Sequence, residues 1–119
     1  ILESTVYPGI TEDYLVPILE KYSKFKHKKN FFVAYSPERI NPGETKYKLI
    51  NIKKVVGADS EKTLSKVSKI YEKIIKVGIH KVSSIKVAEA SKAIENAQRD
   101  INIAFVPDIS SNPIPLPPL

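Results

Sequence analysis

The stretch "KKVVGADSEKTLSKVSKIYEKIIKVGIHKVSS", residues 53–84, changes its patterning twice. It opens on "KKVVGA" (53–58), a short apolar run closed by Gly57, which reads as a strand. Asp59 or Ser60 then caps a helix on which Leu64, Val67, Ile70, Tyr71, Ile74 and Ile75 recur at helical spacing, and Gly78 ends it. "IHKVSS" (79–84) returns to a short strand. Strands alternating with helices at this spacing predict an α/β layer with a parallel sheet.

Both flanks extend the same alternation. "ILESTV" (1–6) reads as the end of a strand, broken by the turn signal Tyr7-Pro8-Gly9. Thr11 can cap the next helix, with Glu12 and Asp13 in its first turn, where the helix dipole favours acids. Leu15, Ile18, Leu19 and Tyr22 give its apolar stripe, and Pro17 should kink or shorten it. "FFVAY" (31–35) is another strand, and a long helix is expected from about Ser84 to Phe105. The last fourteen residues, "VPDISSNPIPLPPL", hold five of the nine prolines and read as an extended or disordered tail that cannot continue a helix. Parallel strands need cover on both faces, so this small core should lack partners.

Composition narrows the class further. The chain has 119 residues, 42% of them hydrophobic, with no run long enough to cross a membrane. Nineteen Lys and Arg against thirteen acids give a net charge of +6, much of it in "KYSKFKHKK" (21–29). That charge fits either a nucleic-acid footprint or a lysine-rich solvated surface, and no aromatic-basic motif accompanies it. There is no cysteine, so neither a disulfide framework nor a thiolate nucleophile is available. His27 and His80 lack metal-ligand spacing and read as surface or loop residues. The chain opens at Ile1 within a strand pattern and without a methionine, which suggests a fragment and shows no signal peptide.

Three places carry candidate chemistry. With Lys92 at zero on the last helix, Asn96 lies at about 40°, Arg99 at about −20° and Glu89 at about 60°. Opposite this polar stripe lie Ala90, Ala93, Ile94, Ala97, Ile101 and Ala104, whose small residues let another element approach closely. The stripe is either a solvated helix side or a convergence of ammonium, amide and guanidinium on a phosphate, carboxylate or hydroxyl. Thr5 follows a strand's carboxyl end, where open α/β sheets bind ligands, or else satisfies local backbone. "SPERINPGE" (36–44) also follows a strand end, and its two prolines stiffen a loop that carries Glu38 and Arg39.

"ESTVYPGITE" (3–12), "YSPERINPGE" (35–44) and "KVAEASKAIENAQRDINIAF" (86–105) together resemble the nucleotide-sugar dehydrogenases. The second and third are closest to the branch that oxidises UDP-N-acetylhexosamines, including UDP-N-acetyl-mannosamine and UDP-N-acetyl-galactosamine. The resemblance covers residues 1 to about 105, in order. It implies an α/β fold: the C-terminal part of a Rossmann-like parallel-sheet domain, followed by the start of a long central helix. Residues 1–83 would be the second half of the NAD-binding domain, 84–105 the start of a central helical dimerisation domain, and 106–119 an atypical proline-rich tail.

The resemblance also implies a chemistry. The family uses NAD to oxidise the sugar's primary alcohol twice, giving a uronic acid for polysaccharide biosynthesis, by way of an aldehyde that a cysteine captures and that is then oxidised to a thioester and hydrolysed. By position, Thr5 matches the cofactor-side threonine. Glu38 matches the glutamate near the substrate and its hydrolytic water, and Arg39 and Ile40 match the substrate-contacting loop. Lys92 matches the catalytic lysine, Asn96 its neighbouring catalytic and substrate-binding asparagine, and Arg99 the substrate-binding arginine one turn on. The glycine-rich dinucleotide fingerprint and the nucleophilic cysteine are not among these residues, so a middle fragment, inactive alone, is expected. The expected partner is a UDP-sugar, with a homodimeric parent, a cytoplasmic location, and neither nucleic acid nor membrane. The contrasting expectations are a small basic module for nucleic acid or anions, or a remnant without function.

Overall fold

The computed structural model describes residues 1–38 and 52–111, with side chains as far as residue 104. A π-helical segment, Ile10–Leu15, runs directly into helix α1, Val16–Ser23. Strands β1 (Ala34–Tyr35) and β2 (Lys54–Ala58), helix α2 (Glu61–Glu72), strand β3 (Ile79–Lys81) and helix α3 (Ile85–Ser111) follow.

The α/β class holds, but the sheet is mixed. β2 and β3 pair in parallel, as the alternation predicted, and Leu2 bridges Tyr35 in parallel. β1 and β2 are antiparallel, with Ala34 opposite Ala58 and Tyr35 opposite Gly57. The short apolar runs of these strands suit either direction, so periodicity alone does not decide between them.

Side chains alternate across the strands and divide the core in two. On one face Val33, Tyr35 and Val55 pack with Val16, Ile85 and Ala88. On the other, Ala34 and Val56 pack with Leu64 and Val67 of α2. Gly57 permits a close approach between layers: a β-carbon there would run into the Ser84 carbonyl and lie 3.0 Å from the Ala88 methyl. Ile1, Leu19, Phe25 and Phe32 stay exposed beside an apolar groove of about 540 Å³.

Helix ends differ from the sequence reading in instructive ways. Gly9, at φ 105, is the residue before the π segment, and Thr11 is buried rather than capping it. The Val16 N–H reaches the Thr11 carbonyl, and Pro17, which has no N–H to give, falls where the π segment passes into α1. Of the expected α1 stripe, Ile18, Leu19 and Tyr22 remain exposed, and Val16 is the buried residue. Ser60, not Asp59, caps α2 by accepting the Thr63 N–H at 3.3 Å. α2 stops at Glu72, short of Gly78, whose φ of 94 serves the turn before β3. Leu64, Val67 and Ile75 are buried as expected, whereas Ile70 and Ile74 are exposed. The Ser84 hydroxyl receives the Val87 N–H at 3.2 Å as α3 begins.

α3 holds the largest correction. It continues past Phe105 and through Pro107 to Ser111, because a proline removes one hydrogen bond while its fixed φ still suits a helix. Its burial also departs from the wheel: Ile94 and Ile101 of the supposed packing side are 67% and 60% accessible and Ala90 and Ala93 half-buried, while on the polar stripe Glu89 is fully buried and Lys92 9% accessible. Ile85 and Ala88 seat the start of the helix under the sheet, and this brings Glu89 and Lys92 inward with them. His27 is corrected as well. Its Nε2 lies 2.8 Å from Asp59 Oδ2, and its ring tilts against Phe31. His80 is exposed, as expected.

Candidate functional site at the strand ends

Because Leu2 and β1 run side by side, the segments carrying Thr5 and Glu38 leave the sheet at one end. The Leu2 N–H donates to the Ala34 carbonyl at 2.9 Å, and the Ser36 N–H to the Leu2 carbonyl at 3.0 Å. The Glu38 N–H then reaches the Glu3 carbonyl at 3.3 Å, which ties the two segments beyond the strands. Both Thr5 and Glu38 expose their side chains there. Arg39 and Ile40 lie outside the described residues.

β2 begins where β1 ends, and its first residue joins this group. Lys54 Nζ lies 3.0 Å from Glu3 Oε1, donates to the Pro37 carbonyl at 3.4 Å, and sits 5.0 Å above the centre of the Tyr71 ring. The Tyr71 hydroxyl donates to Glu3 Oε1 at 2.5 Å. That hydroxyl, and then the Lys54 ammonium, hold the Glu3 carboxyl below its usual range against the opposing effect of burial. Burial, and then the bond given to Glu3, push the Tyr71 phenol far above its own range. Sequence reading missed this cluster. The available signal was a lysine at the head of an apolar strand, since a cation drawn into a sheet needs a partner.

The third contributor is α3, and the link is Glu89. Its carboxylate accepts the Gly9 N–H at 2.6 Å on Oε2, and on Oε1 the Thr11 N–H at 2.9 Å and the Thr11 hydroxyl at 2.7 Å. Burial, and then the Glu89 charge, raise the Tyr35 phenol above its usual range. Glu89 therefore serves the protein rather than a ligand. It fastens the turn that follows Thr5 to the helix that carries Lys92, one turn further on.

Lys92 Nζ lies 4.0 Å from Glu95 Oε2, and Arg99 approaches Glu95 Oε1 at 3.7 Å. Asn96 is half-buried between them in sequence, and Arg99 is the more exposed of the two cations. The structure thus ties the Thr5 and Glu38 segments together at Glu3, and ties the turn after Thr5 to α3 at Glu89, one turn before Lys92. Asn96 and Arg99 lie further along the same helix.

Asp59 marks the other end of β2. Burial works against its ionised form, but the Val33 N–H, His27, Thr63 and Ser60 outweigh burial and hold the carboxyl below its usual range. Among the described residues no group of three or more His, Cys, Asp or Glu side chains is placed to hold a metal. No helix among them is long and apolar enough to cross a membrane.

Polar loops gathered at strand carboxyl ends, beside a helix carrying buried charge, define an α/β ligand-binding domain. The chain belongs to the UDP-glucose/GDP-mannose dehydrogenase family, whose NAD binding domain matches residues 1–75. It is 51% identical over 110 residues to the UDP-N-acetyl-D-glucosamine 6-dehydrogenase of Pseudomonas aeruginosa, covering 92% of this chain and 26% of that protein. It is 36% identical over 105 residues to the UDP-N-acetyl-D-mannosamine dehydrogenase of Methanocaldococcus jannaschii, covering 88% of this chain and 23% of that one. Among solved structures, the UDP-D-ManNAc dehydrogenase of Pyrococcus horikoshii superposes with a TM-score of 0.76 at 34% identity, over 87% of this chain and 24% of that chain. The chain thus spans about a quarter of the length of the relatives it matches.

The cofactor of this domain is NAD, and the residues present meet it in part. The exposed Thr5, at a strand's carboxyl end, fits a cofactor contact. The Gly9 and Thr11 N–H groups, which at a helix start would otherwise attract a phosphate, are taken by Glu89. Those two donors would therefore not be free to hold the pyrophosphate.

Proposed function

We propose that the chain is part of an NAD-dependent UDP-N-acetylhexosamine 6-dehydrogenase, which oxidises the sugar's primary alcohol to a carboxylate for polysaccharide biosynthesis. The observation that supports this most is the tie between the Thr5 and Glu38 segments, together with the Glu89 tie from the turn after Thr5 to the helix carrying Lys92, in a chain of this family. Identity to the relative named for UDP-N-acetyl-D-glucosamine, 51% against 36% for the mannosamine relative, makes UDP-N-acetylglucosamine the first substrate to test.

NAD, when bound, supplies the hydride acceptor. Thr5 contacts the cofactor. Lys92 sits beside the oxygen of the reacting carbon: as the amine it accepts the hydroxyl proton while the hydride leaves, and the ammonium so formed stabilises negative charge on that oxygen. Asn96 orients that hydroxyl or the hydrolytic water, and Glu38 holds the same water from the opposite segment. Arg39, Ile40 and Arg99 contact the nucleotide sugar, with Arg99 matched to its anionic groups. Residues 1–83 belong to the cofactor domain, and the helix that follows builds a homodimer through its exposed Ile94 and Ile101 side. The compartment this reading expects is the cytoplasm, where NAD and UDP-sugars are available.

The test is turnover by the full-length protein that carries this chain. NADH should form with a UDP-N-acetylhexosamine, and the sugar should be recovered as its uronic acid. Absence of NADH with UDP-N-acetylglucosamine, UDP-N-acetylmannosamine and UDP-N-acetylgalactosamine alike would defeat the proposal.

A further inference from the structure

Lys54 heads β2, yet only 5% of it is accessible. Drawing an ammonium out of water is costly, and an aliphatic residue could fill the same space at less expense. What the cation adds is reach to two separate segments. One contact is the Glu3 carboxylate at 3.0 Å, two residues before Thr5, and the other is the Pro37 carbonyl at 3.4 Å, immediately before Glu38.

The surroundings leave this geometry little freedom. Tyr71 of α2 supplies a ring face to the ammonium at 5.0 Å and a hydroxyl to Glu3 at 2.5 Å, so the carboxylate is gripped from two sides. The Glu3 carbonyl receives the Glu38 N–H at 3.3 Å, and the Ser36 hydroxyl donates to the Val55 carbonyl at 2.7 Å. Both segments that leave the sheet are thus referred to β2, and Lys54 is the residue common to them.

We infer that Lys54 is a positioning residue, which fixes the Thr5 and Glu38 segments in one geometry through the Glu3 carboxylate and the Pro37 carbonyl. The role of Glu38 in this inference rests on the dehydrogenase reading; the coupling of the segments does not. Arginine keeps the charge and the donors, whereas methionine keeps the aliphatic stem and loses both.

Hydrogen exchange of the full-length protein separates the cases. In Lys54→Met the peptide holding the Glu38 amide should exchange about 10-fold faster, with peptides of α3 unchanged, and Lys54→Arg should recover most of the protection. Unchanged exchange at Glu38, or a uniform rise in every peptide, overturns the inference. In kinetics, Lys54→Met should lower kcat by about 10-fold in the parent but by under about 2-fold in a Glu38→Gln background, because coupled residues are not additive. Equal losses in both backgrounds would mean that Lys54 does not act through Glu38. A parent that forms no NADH defeats the dehydrogenase reading alone, and the exchange measurement still decides Lys54.

Discussion

Replacing Glu89 with alanine should destabilise the fold by about 3–5 kcal/mol, read from the shift of the urea midpoint in the full-length protein. The substitution removes one carboxylate but leaves three buried donors behind: the Gly9 N–H, the Thr11 N–H and the Thr11 hydroxyl. An unmet buried donor costs about 1–3 kcal/mol, and local relaxation keeps the sum below three full penalties. Glutamine makes the informative comparison. Its carbonyl oxygen can keep both Thr11 bonds, while its amide group meets the Gly9 N–H donor to donor, so about 1–3 kcal/mol should be lost. Equal small losses for both variants would show that Glu89 is not the fastening between α3 and the turn after Thr5.

The second large effect is kinetic. Lys92→Arg should lower turnover by about 10²-fold or more while leaving NAD affinity nearly unchanged, the scale of a positioned acid–base group. Lys92 is nearly buried on the inward side of α3, with Glu95 as its ion-pair partner. Arginine keeps the charge and can still meet Glu95, but it has no accessible proton equilibrium. Steady-state kinetics of the full-length variant decide the matter. Turnover within a few-fold of the parent would make Lys92 a structural cation whose purpose is its pairing with Glu95.

How much of this was legible beforehand depended on how local each feature is. The alternation around "KKVVGA" gave the α/β class, because burial on both faces and helical spacing are written into neighbouring residues. The antiparallel entry of β2 was not legible, since a short apolar strand carries no arrow. On α3 the period was right and the side was wrong. A wheel ranks Glu89 as polar and turns it outward, whereas its three donors lie at positions 9 and 11, at the far end of the chain. Thr11 was misread for the same reason: its hydroxyl looked like a cap until the buried carboxylate supplied another partner. Lys54 shows the remaining gap. Its position was readable, but Glu3, Pro37 and Tyr71 meet it only through tertiary structure.

The central claim is that cofactor and sugar meet at the shared strand ends, between the Thr5 and Glu38 segments and the Glu89–Lys92 turn. Its most direct test is a hydrogen-exchange footprint of the full-length protein, taken first with NAD and then with UDP-N-acetylglucosamine added. NAD should slow exchange in the peptide spanning residues 3–9, and the nucleotide sugar should slow it in peptides spanning residues 36–38 and 88–96. Binding of both ligands with protection confined to other parts of the protein would contradict the claim.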